Sequence, residues 1–123
     1  MFELTINGQV YGFNFGMGFL REINKSIVTP VDGLKGVSKE IGLKYHVAGL
    51  IDGEVEDLIT ILDIANKGNN PRVTRALLDS YVESDSTDID ALFDEVMDFL
   101  KSANATKNTV LNLLKEAEKA KEK

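Results

Sequence analysis

The fold of this chain is predicted most directly by residues 6–26, which read INGQVYGFNFGMGFLREINKS. Asn7 and Gly8 separate two segments in which apolar and polar residues alternate. This residue pair favours a type I′ turn, because both positions tolerate a positive φ. The sequence therefore predicts a β-hairpin with strands at residues 2–6 and 10–15. An isolated hairpin is only marginally stable in water, so its apolar face needs a cover.

A helix at about residues 17–26 is predicted to supply that cover. Phe19 and Ile23 recur at helical spacing on one side of this segment, whereas its charged residues lie on the other side. We expect these two side chains to contact each other and the hairpin, through Phe13 or Phe15.

The remainder of the chain is predicted to be helical after an irregular connector at residues 28–42. Pro30 and three glycines interrupt the apolar residues of the connector, which leaves room for at most a short extended piece. Beyond it, apolar residues recur with helical spacing in five segments. The first segment is residues 43–50, and the second begins after its cap at Asp52 and ends at Lys67-Gly68. The third starts at Asn70-Pro71. The fourth has a capping box of Thr87 and Asp90 and seven apolar residues from Ile89 to Leu100, and the fifth is residues 107–121.

Together these patterns predict an α+β fold that is mostly α. An N-terminal β-hairpin packs on a helix, and a bundle of four to five helices follows. Residues 1–123 are interpreted as a single domain. Its parts are the hairpin and first helix at residues 1–27, the connector at 28–42, a helical body at 43–103, and a C-terminal helix with a frayed basic tail at 104–123.

Composition excludes several classes of protein. The 123 residues include 14 Lys and Arg against 20 Asp and Glu, which gives a net charge of -6. Nucleic-acid-binding proteins neutralise phosphates with basic side chains, so this acidic composition disfavours nucleic-acid binding. The absence of Cys excludes disulfides, thiolate metal sites and a Cys nucleophile. The sequence lacks an apolar run of the roughly 20 residues that a membrane span needs, and its N-terminus lacks the pattern of a secretion signal. We expect a cytoplasmic protein that binds neither nucleic acid nor membranes.

Charge is distributed unevenly along the chain. Residues 1–53 are neutral, residues 54–100 carry a net charge of -9, and residues 101–123 carry +3. Amphipathic helices with solvated acidic faces explain the middle segment. The alternative is an oligomer in which acidic and basic faces meet.

The polar residues do not predict a catalytic, metal or cofactor site. Four aspartates lie between Asp85 and Asp94, but the sixth residue counted from Asp88 is Phe93, where a calcium-binding EF-hand loop requires glycine. These aspartates are interpreted as helix caps and a solvated face. His46 is the single histidine, and it has no nucleophile in a known sequence context, so it is interpreted as a half-buried, hydrogen-bonded residue.

The glycines from Gly12 to Gly18 have the appearance of a phosphate-binding loop. That fingerprint requires a βαβ unit, whereas this chain has a hairpin before the glycines and helices after them. Gly12, Gly16 and Gly18 are interpreted instead as small residues where the helix and hairpin backbones approach closely. The exposed carboxylate pairs lack the burial that would separate their pKa values into acid and base roles. The chain is not predicted to be an enzyme or to bind a cofactor.

The order of the motifs resembles the tail assembly chaperones of long-tailed bacteriophages and prophages of Gram-positive bacteria. That family begins with a hairpin of the form I-N-G-x-x-Y-x-x-x-F and a helix of the form G-x-G-F with R-E and N/D. The matching positions are Ile6, Asn7, Gly8, Tyr11, Phe15, Gly16, Gly18, Phe19, Arg21, Glu22 and Asn24. Gly42-Leu43, residues 52–58 and the LFDEV sequence at residues 92–96 match later family features, so the resemblance covers about residues 2–100.

The resemblance implies a non-enzymatic chaperone of tail assembly. Such a protein binds the tape measure protein, keeps its helical apolar segments soluble and aids assembly of the tail tube protein. It acts in the host cytoplasm and is absent from the mature virion, and self-association is expected. The structural core of the motif would be Tyr11, Phe15, Gly16, Gly18, Phe19 and Ile23. The alternative function is a small acidic phage regulatory protein that binds another protein or mimics DNA.

The last helix is the predicted partner-binding element. Val110, Leu111 and Leu114 form a short apolar stripe on a basic segment that follows an acidic one. Two arrangements remain open. The stripe docks on its own domain, or it docks on a second copy of the chain or on a client.

Overall fold

The fold is α+β and mostly helical, as predicted, in the computed structural model, which describes residues 1–121. The elements are β1 (Phe2–Ile6), β2 (Gln9–Phe13), α1 (Met17–Lys25), β3 (Val28–Pro30), β4 (Ser38–Glu40), α2 (Gly42–Ile51), α3 (Val55–Asn66), α4 (Arg75–Glu83), α5 (Ile89–Ser102) and α6 (Lys107–Lys121). Within these residues five helices follow α1, in agreement with the predicted bundle. None of them combines the length and hydrophobicity that a bilayer span requires.

The first hairpin, residues 2–13, forms as predicted. Asn7 and Gly8 have φ angles of 52° and 77°, as a type I′ turn requires. The antiparallel register places Phe2 opposite Phe13, and both side chains are buried. The second strand ends two residues earlier than predicted, because the Asn14 N–H donates to a carbonyl of α3 instead of continuing the ladder.

Helix α1 packs on α2 and α3, and β2 packs on α3, so the predicted contact between α1 and the hairpin segment is confirmed at Phe15 and Phe19. The side chains of Phe19 and Ile23 are buried. The rings of Phe15 and Phe19 meet edge to face, with centroids 5.1 Å apart. This geometry suits the ring quadrupoles and adds to the free energy of burial.

The junction of α1 and α2 explains two of the family positions. The side-chain oxygen of Asn24 accepts the Leu43 N–H at 3.0 Å, and it therefore satisfies an amide in the first turn of α2, where the N-cap residue Ile41 is aliphatic. Gly42 lies directly against α1, and a Cβ there would overlap the Ile23 carbonyl. Only glycine fits at this crossing.

The space around Gly12, Gly16 and Gly18 corrects the interpretation that these glycines allow a close approach of backbones. A Cβ at Gly18 would meet no atom within 4 Å in residues 1–121, apart from the adjacent residues and the backbone of its own helix. A Cβ at Gly16 would meet the Asn14 side chain at 3.0 Å, and a Cβ at Gly12 would meet the Met1 sulfur at 2.9 Å, so both would approach side chains and not backbone. The close approach of backbones occurs at Gly42 instead.

The connector contains more regular structure than predicted. Strands β3 and β4 pair antiparallel with Val28 opposite Glu40, and they form a second hairpin at residues 28–40. A hydrogen bond from the Ile41 N–H to the Ile27 carbonyl closes its base at 2.9 Å. The prediction of an irregular connector is therefore wrong. Each strand is only three residues long and has no buried face, so its sequence does not show the alternation of apolar and polar residues by which strands are recognised.

Three predicted helix starts are also corrected. Asp52 belongs to the end of α2, and Gly53, with a φ of 78°, separates it from α3. The α4 helix starts at Arg75, well after Asn70-Pro71, because the Thr74 side chain accepts the Leu77 N–H. For α5, Asp88 caps the helix and the Thr87 hydroxyl donates to a carbonyl of α4. In each case a hydrogen bond or a glycine turn at residues other than the predicted capping residues determines where the helix begins.

The segment between α3 and α4 is held by Asn66, which is fully buried. Its amide nitrogen donates to the Gly12 carbonyl of β2 at 2.8 Å. Its amide oxygen accepts the Val73 N–H at 2.7 Å and an Arg72 guanidinium N–H at 3.0 Å. One side chain therefore ties the first hairpin, α3 and the following segment together.

A single cluster of buried apolar side chains joins β1, β2 and the six helices of the described residues. Helix α2 contacts α1, α3 and α6, and α5 packs on α6. The turn before α6 is fixed by Thr106, whose buried hydroxyl donates to the Leu100 carbonyl at 2.7 Å. Helix α6 extends through Lys121, with exposed side chains at its end. The predicted fraying falls in part on residues 122 and 123, which lie outside the described residues.

Candidate partner-binding surface

An aromatic cluster links the first hairpin, α1 and the end of α5. The Phe2 ring lies 5.6 Å from Phe13 and 5.1 Å from Phe99, measured between centroids. Phe15 lies 6.1 Å from Phe99 and also contacts the ring of Phe19. Four of these five rings are buried, whereas Phe99 is 36% exposed. The cluster therefore reaches the surface at Phe99.

A groove of about 620 Å³ opens at this point, and we call it the Phe99 groove. It lies between the start of the first hairpin, the N-terminus of α1 and residues 99–105. Met1 and Met17, which are 75% and 50% exposed, stand at its edge. The Gly16 N–H donates to the Asn14 side chain at 2.8 Å, and this turn places Met17 at the first position of α1.

The lining of the Phe99 groove suits an apolar partner. Methionine side chains are flexible and polarisable and adapt to different apolar surfaces. Exposed, contiguous apolar surface on a small protein marks an interaction site more often than an isolated apolar residue does. The groove can therefore accept bulky apolar side chains of a helix.

The sequence did not predict this groove. The helical spacing places Phe99 among the seven apolar residues of the inner face of α5, but that face is centred on Leu92, Val96 and Leu100, which are buried. Phe99 lies at its edge. The feature of the sequence that indicates an exposed apolar residue here is the width of the apolar arc on α5, which exceeds what one neighbouring helix covers.

The predicted partner-binding residues of α6 lie in three different surroundings. Val110 is fully buried in the chain's own core, Leu114 is partly buried against it, and Leu111 is 43% exposed. Helix α6 packs on α2 and α5. Of the three side chains, Leu111 is therefore the one that a partner reaches without displacing α6.

The predicted core residues of the motif are placed as follows. Phe15, Phe19 and Ile23 are buried, and Tyr11 is partly buried against the core. Gly16 and Gly18 belong to the turn into α1 and to its first turn. The motif therefore builds the wall of the Phe99 groove, with Phe15 and Gly16 lining it directly.

His46 is buried and hydrogen-bonded at both ring nitrogens. Its Nδ1 lies 2.7 Å from a carboxylate oxygen of Asp57, and its Nε2 lies 3.1 Å from the hydroxyl oxygen of Ser26. The Ser26 hydroxyl donates to the Ile23 carbonyl at 2.5 Å, and in a catalytic triad it would instead donate to the imidazole. The three side chains therefore tie α1, α2 and α3 together. Gly49 admits Asp57, because a Cβ at Gly49 would overlap its carboxylate.

The acidic residues of α4 and α5 do not converge on a cation site in the described part of the chain, where no group of three or more potential ligands lies together. Asp88 accepts the Ala91 N–H at 3.0 Å and caps α5, as the interpretation of these aspartates expected. Near the same end of the molecule, partial burial raises the pKa of the Tyr81 hydroxyl, and the carboxylate of Glu95 raises it further.

The second hairpin is a further apolar surface that the sequence did not predict. Val28, Leu34 and Val37 are all exposed, and Leu34 lies at its tip. The turn between the strands contains Gly33 and Gly36 in the left-handed region, with φ angles of 79° and 77°. This hairpin is a second candidate contact surface, but it has no concave lining of aromatic side chains comparable to that of the Phe99 groove.

Comparison with known proteins identifies the family. A family model described as phage tail assembly chaperone protein, TAC, matches residues 3–115. No curated protein and no solved structure matches the chain. Residues 3–115 include all but the first residue of the first hairpin, the second hairpin, α1–α5 and the first half of α6. The chain belongs to the family of phage tail assembly chaperones.

Proposed function

We propose that this chain binds the tape measure protein of its phage and keeps its helical apolar segments soluble while the tail tube assembles. Membership of the tail assembly chaperone family supports a role in tail assembly. The observation that supports a client with helical apolar segments is the Phe99 groove, where Met1, Met17 and Phe99 expose apolar surface beside buried aromatic rings. A groove of this kind suits one face of an amphipathic helix.

The remaining parts of the proposal follow from the same role. The chain acts without catalysis, in the host cytoplasm, and leaves before the virion is complete. Its second partner is the tail tube protein, and copies of the chain associate with each other. The exposed Leu111 and the net charge of +3 at residues 101–123, against -9 at residues 54–100, support self-association.

The test is co-expression of the tape measure protein with the chain or with a variant. In Met17→Asp, a carboxylate enters the groove at the first position of α1, where the helix dipole favours it, so the fold is retained. We expect this variant to lose tape measure binding in pull-down assays and to leave the tape measure protein insoluble.

Val55→Asp is the matched control. Val55 is also an exposed apolar residue at the first position of a helix, α3, and it lies outside the groove. It should bind and solubilise the tape measure protein as the unaltered chain does. Equal binding by all three proteins would refute the groove as the client site, and no binding by the unaltered chain would refute the proposed function.

A further inference from the structure

Gly12 is a glycine that the backbone of β2 does not require. It is not among the left-handed glycines of residues 1–121, so its conformation is open to other residues. Glycine inside a strand is unfavourable, because it loses more conformational freedom on folding than any other residue and has no side chain to pack. Such a glycine often marks a place where another group approaches closely. The atoms that occupy the space of a Cβ at Gly12 therefore explain its presence.

The thioether of Met1 occupies that space. A Cβ at Gly12 would stand 2.9 Å from the Met1 sulfur and 4.0 Å from the Met1 Cγ. The side-chain oxygen of Asn69 would be at an ordinary contact distance of 3.6 Å. Met1 is a lining residue of the Phe99 groove, whereas Gly12 lies behind it and is not. The absence of a side chain at Gly12 therefore leaves room for a side chain that borders the groove.

The backbone at Gly12 is held in place by α3. Its carbonyl accepts the side-chain N–H of the buried Asn66 at 2.8 Å. Two residues later, the Asn14 N–H donates to the Ala65 carbonyl, also at 2.8 Å. Met1, by contrast, is 75% exposed, and its unbranched side chain changes rotamer easily. A larger residue at position 12 therefore displaces the Met1 side chain and leaves the hairpin where it is.

We propose that Gly12 is a positioning residue for client binding, because it leaves room for the Met1 thioether at the edge of the Phe99 groove. In this position Met1 adds apolar surface that a client helix buries together with Met17 and Phe99. Gly12 itself does not contact the client and acts through Met1. This inference rests on the proposed function, since it names a residue that sets the affinity of the same groove.

The test is Gly12→Ala, which adds one methyl group where the Met1 sulfur lies. We expect the tape measure protein to bind this variant about fivefold more weakly, which is the size of effect expected for a moderate contact within an interface. Competition with the tagged, unaltered chain for a limiting amount of tape measure protein measures the ratio of the two affinities.

The position of Met1 is followed independently of binding. The chain contains three methionines, so labelling their methyl groups with ¹³C gives one NMR signal each for Met1, Met17 and Met97. In Gly12→Ala the Met1 signal should shift, and the Met97 signal should stay where it is. Denaturant titration should show that the variant unfolds at no lower a concentration than the unaltered chain, because alanine suits a strand at least as well as glycine does.

Gly18→Ala is the matched control, because it makes the same chemical change outside the groove lining. A Cβ at Gly18 would meet no atom within 4 Å in residues 1–121, apart from the adjacent residues and the backbone of its own helix. This variant should leave the Met1 signal unshifted and should bind the tape measure protein as the unaltered chain does. Weaker binding with a shifted Met1 signal in Gly12→Ala, and neither change in Gly18→Ala, would support the proposal.

Failure of the inference and failure of the proposed function give different results. If the unaltered chain binds the tape measure protein and Gly12→Ala binds it equally, the inference fails while the proposed function stands. The inference also fails alone if the Met1 signal does not shift in Gly12→Ala, or if weaker binding accompanies earlier unfolding, which would indicate damage to the hairpin. If the unaltered chain does not bind the tape measure protein, the proposed function fails, and the inference fails with it.

Discussion

The two hairpins use the same antiparallel motif in opposite surroundings. In the first hairpin, residues 2–13, the apolar side chains of β1 are buried, and β2 packs on α3. In the second hairpin, residues 28–40, Val28, Leu34 and Val37 point to the surface. The first is therefore a part of the core, whereas the second contributes its apolar residues to the exterior.

The difference shows what a neighbouring element contributes to a hairpin. Two strands alone do not bury enough surface to be stable, so the first hairpin depends on the elements packed against it, among them α3. The Phe99 groove opens where the start of this hairpin, the start of α1 at Met17 and the end of α5 meet. The candidate client site is thus the edge of the buried hairpin, not the exposed one.

The largest effect is expected for Phe19→Ala in the aromatic cluster beside the first hairpin. Phe19 is buried and contacts the ring of Phe15, so the substitution removes apolar burial and leaves a cavity. We expect a loss of about 3 to 5 kcal/mol in the free energy of unfolding. Denaturant titration measures it, and a loss below about 1 kcal/mol would contradict the burial of this ring.

A smaller but clear loss is expected for Asn66→Ala, which cuts the tie between α3 and β2. The substitution leaves the partly buried Gly12 carbonyl and the buried Val73 N–H without their partner. We expect a loss of about 2 to 3 kcal/mol in the free energy of unfolding. Asn69→Ala is the control, because its two hydrogen bonds are 3.3 Å long and it is only half-buried. Equal losses in both variants would refute the special role of Asn66.

Little change in stability is expected for Leu34→Ser at the tip of the second hairpin. Leu34 is 56% exposed, so its replacement removes little buried surface. The free energy of unfolding should change by less than about 0.5 kcal/mol. A loss near that of Phe19→Ala, in the same denaturant titration, would show that the second hairpin is covered in solution and would remove the contrast between the hairpins.

The smallest effect concerns Tyr81, near the turn of the first hairpin. Its pKa is raised in the folded chain by burial and by Glu95, so the unfolded chain loses this proton first as the pH increases. The stabilisation is complete below the ordinary pKa of 10.0 and is lost as the pH rises through the raised value. Stability measured from pH 9 upwards should fall less in Tyr81→Phe than in the unaltered chain. If the stability of the two proteins fell equally with increasing pH, the raised pKa of Tyr81 would be contradicted.

The parts of the fold that could be predicted are those that local chemistry decides. Asn7-Gly8 specifies its turn by backbone preference, and the spacing of Phe19 and Ile23 specifies the buried face of α1. The starts of α4 and α5 could not be placed correctly, because Thr74 and Asp88 compete with equally plausible capping residues nearby. Tertiary contacts decide between such candidates.

The candidate site could be predicted only in part. The family motif includes Phe15 and Gly16, which line the Phe99 groove, but Met17 and Phe99 come together only when α1 and α5 have packed. The hydrogen-bond partners of His46 cannot be predicted for the same reason, because Ser26 and Asp57 are 20 and 11 residues away in the sequence. Contacts between distant segments leave no periodic signal in a single sequence.

The central claim is that the client binds in the Phe99 groove and not on the second hairpin. The chain contains no Cys, so Met17→Cys and Leu34→Cys each introduce a single thiol at an exposed position. The decisive measurement is the rate of thiol labelling of each variant with and without the tape measure protein. The account predicts that the tape measure protein slows labelling at position 17 and leaves labelling at position 34 unchanged. Slower labelling at position 34 alone would contradict it.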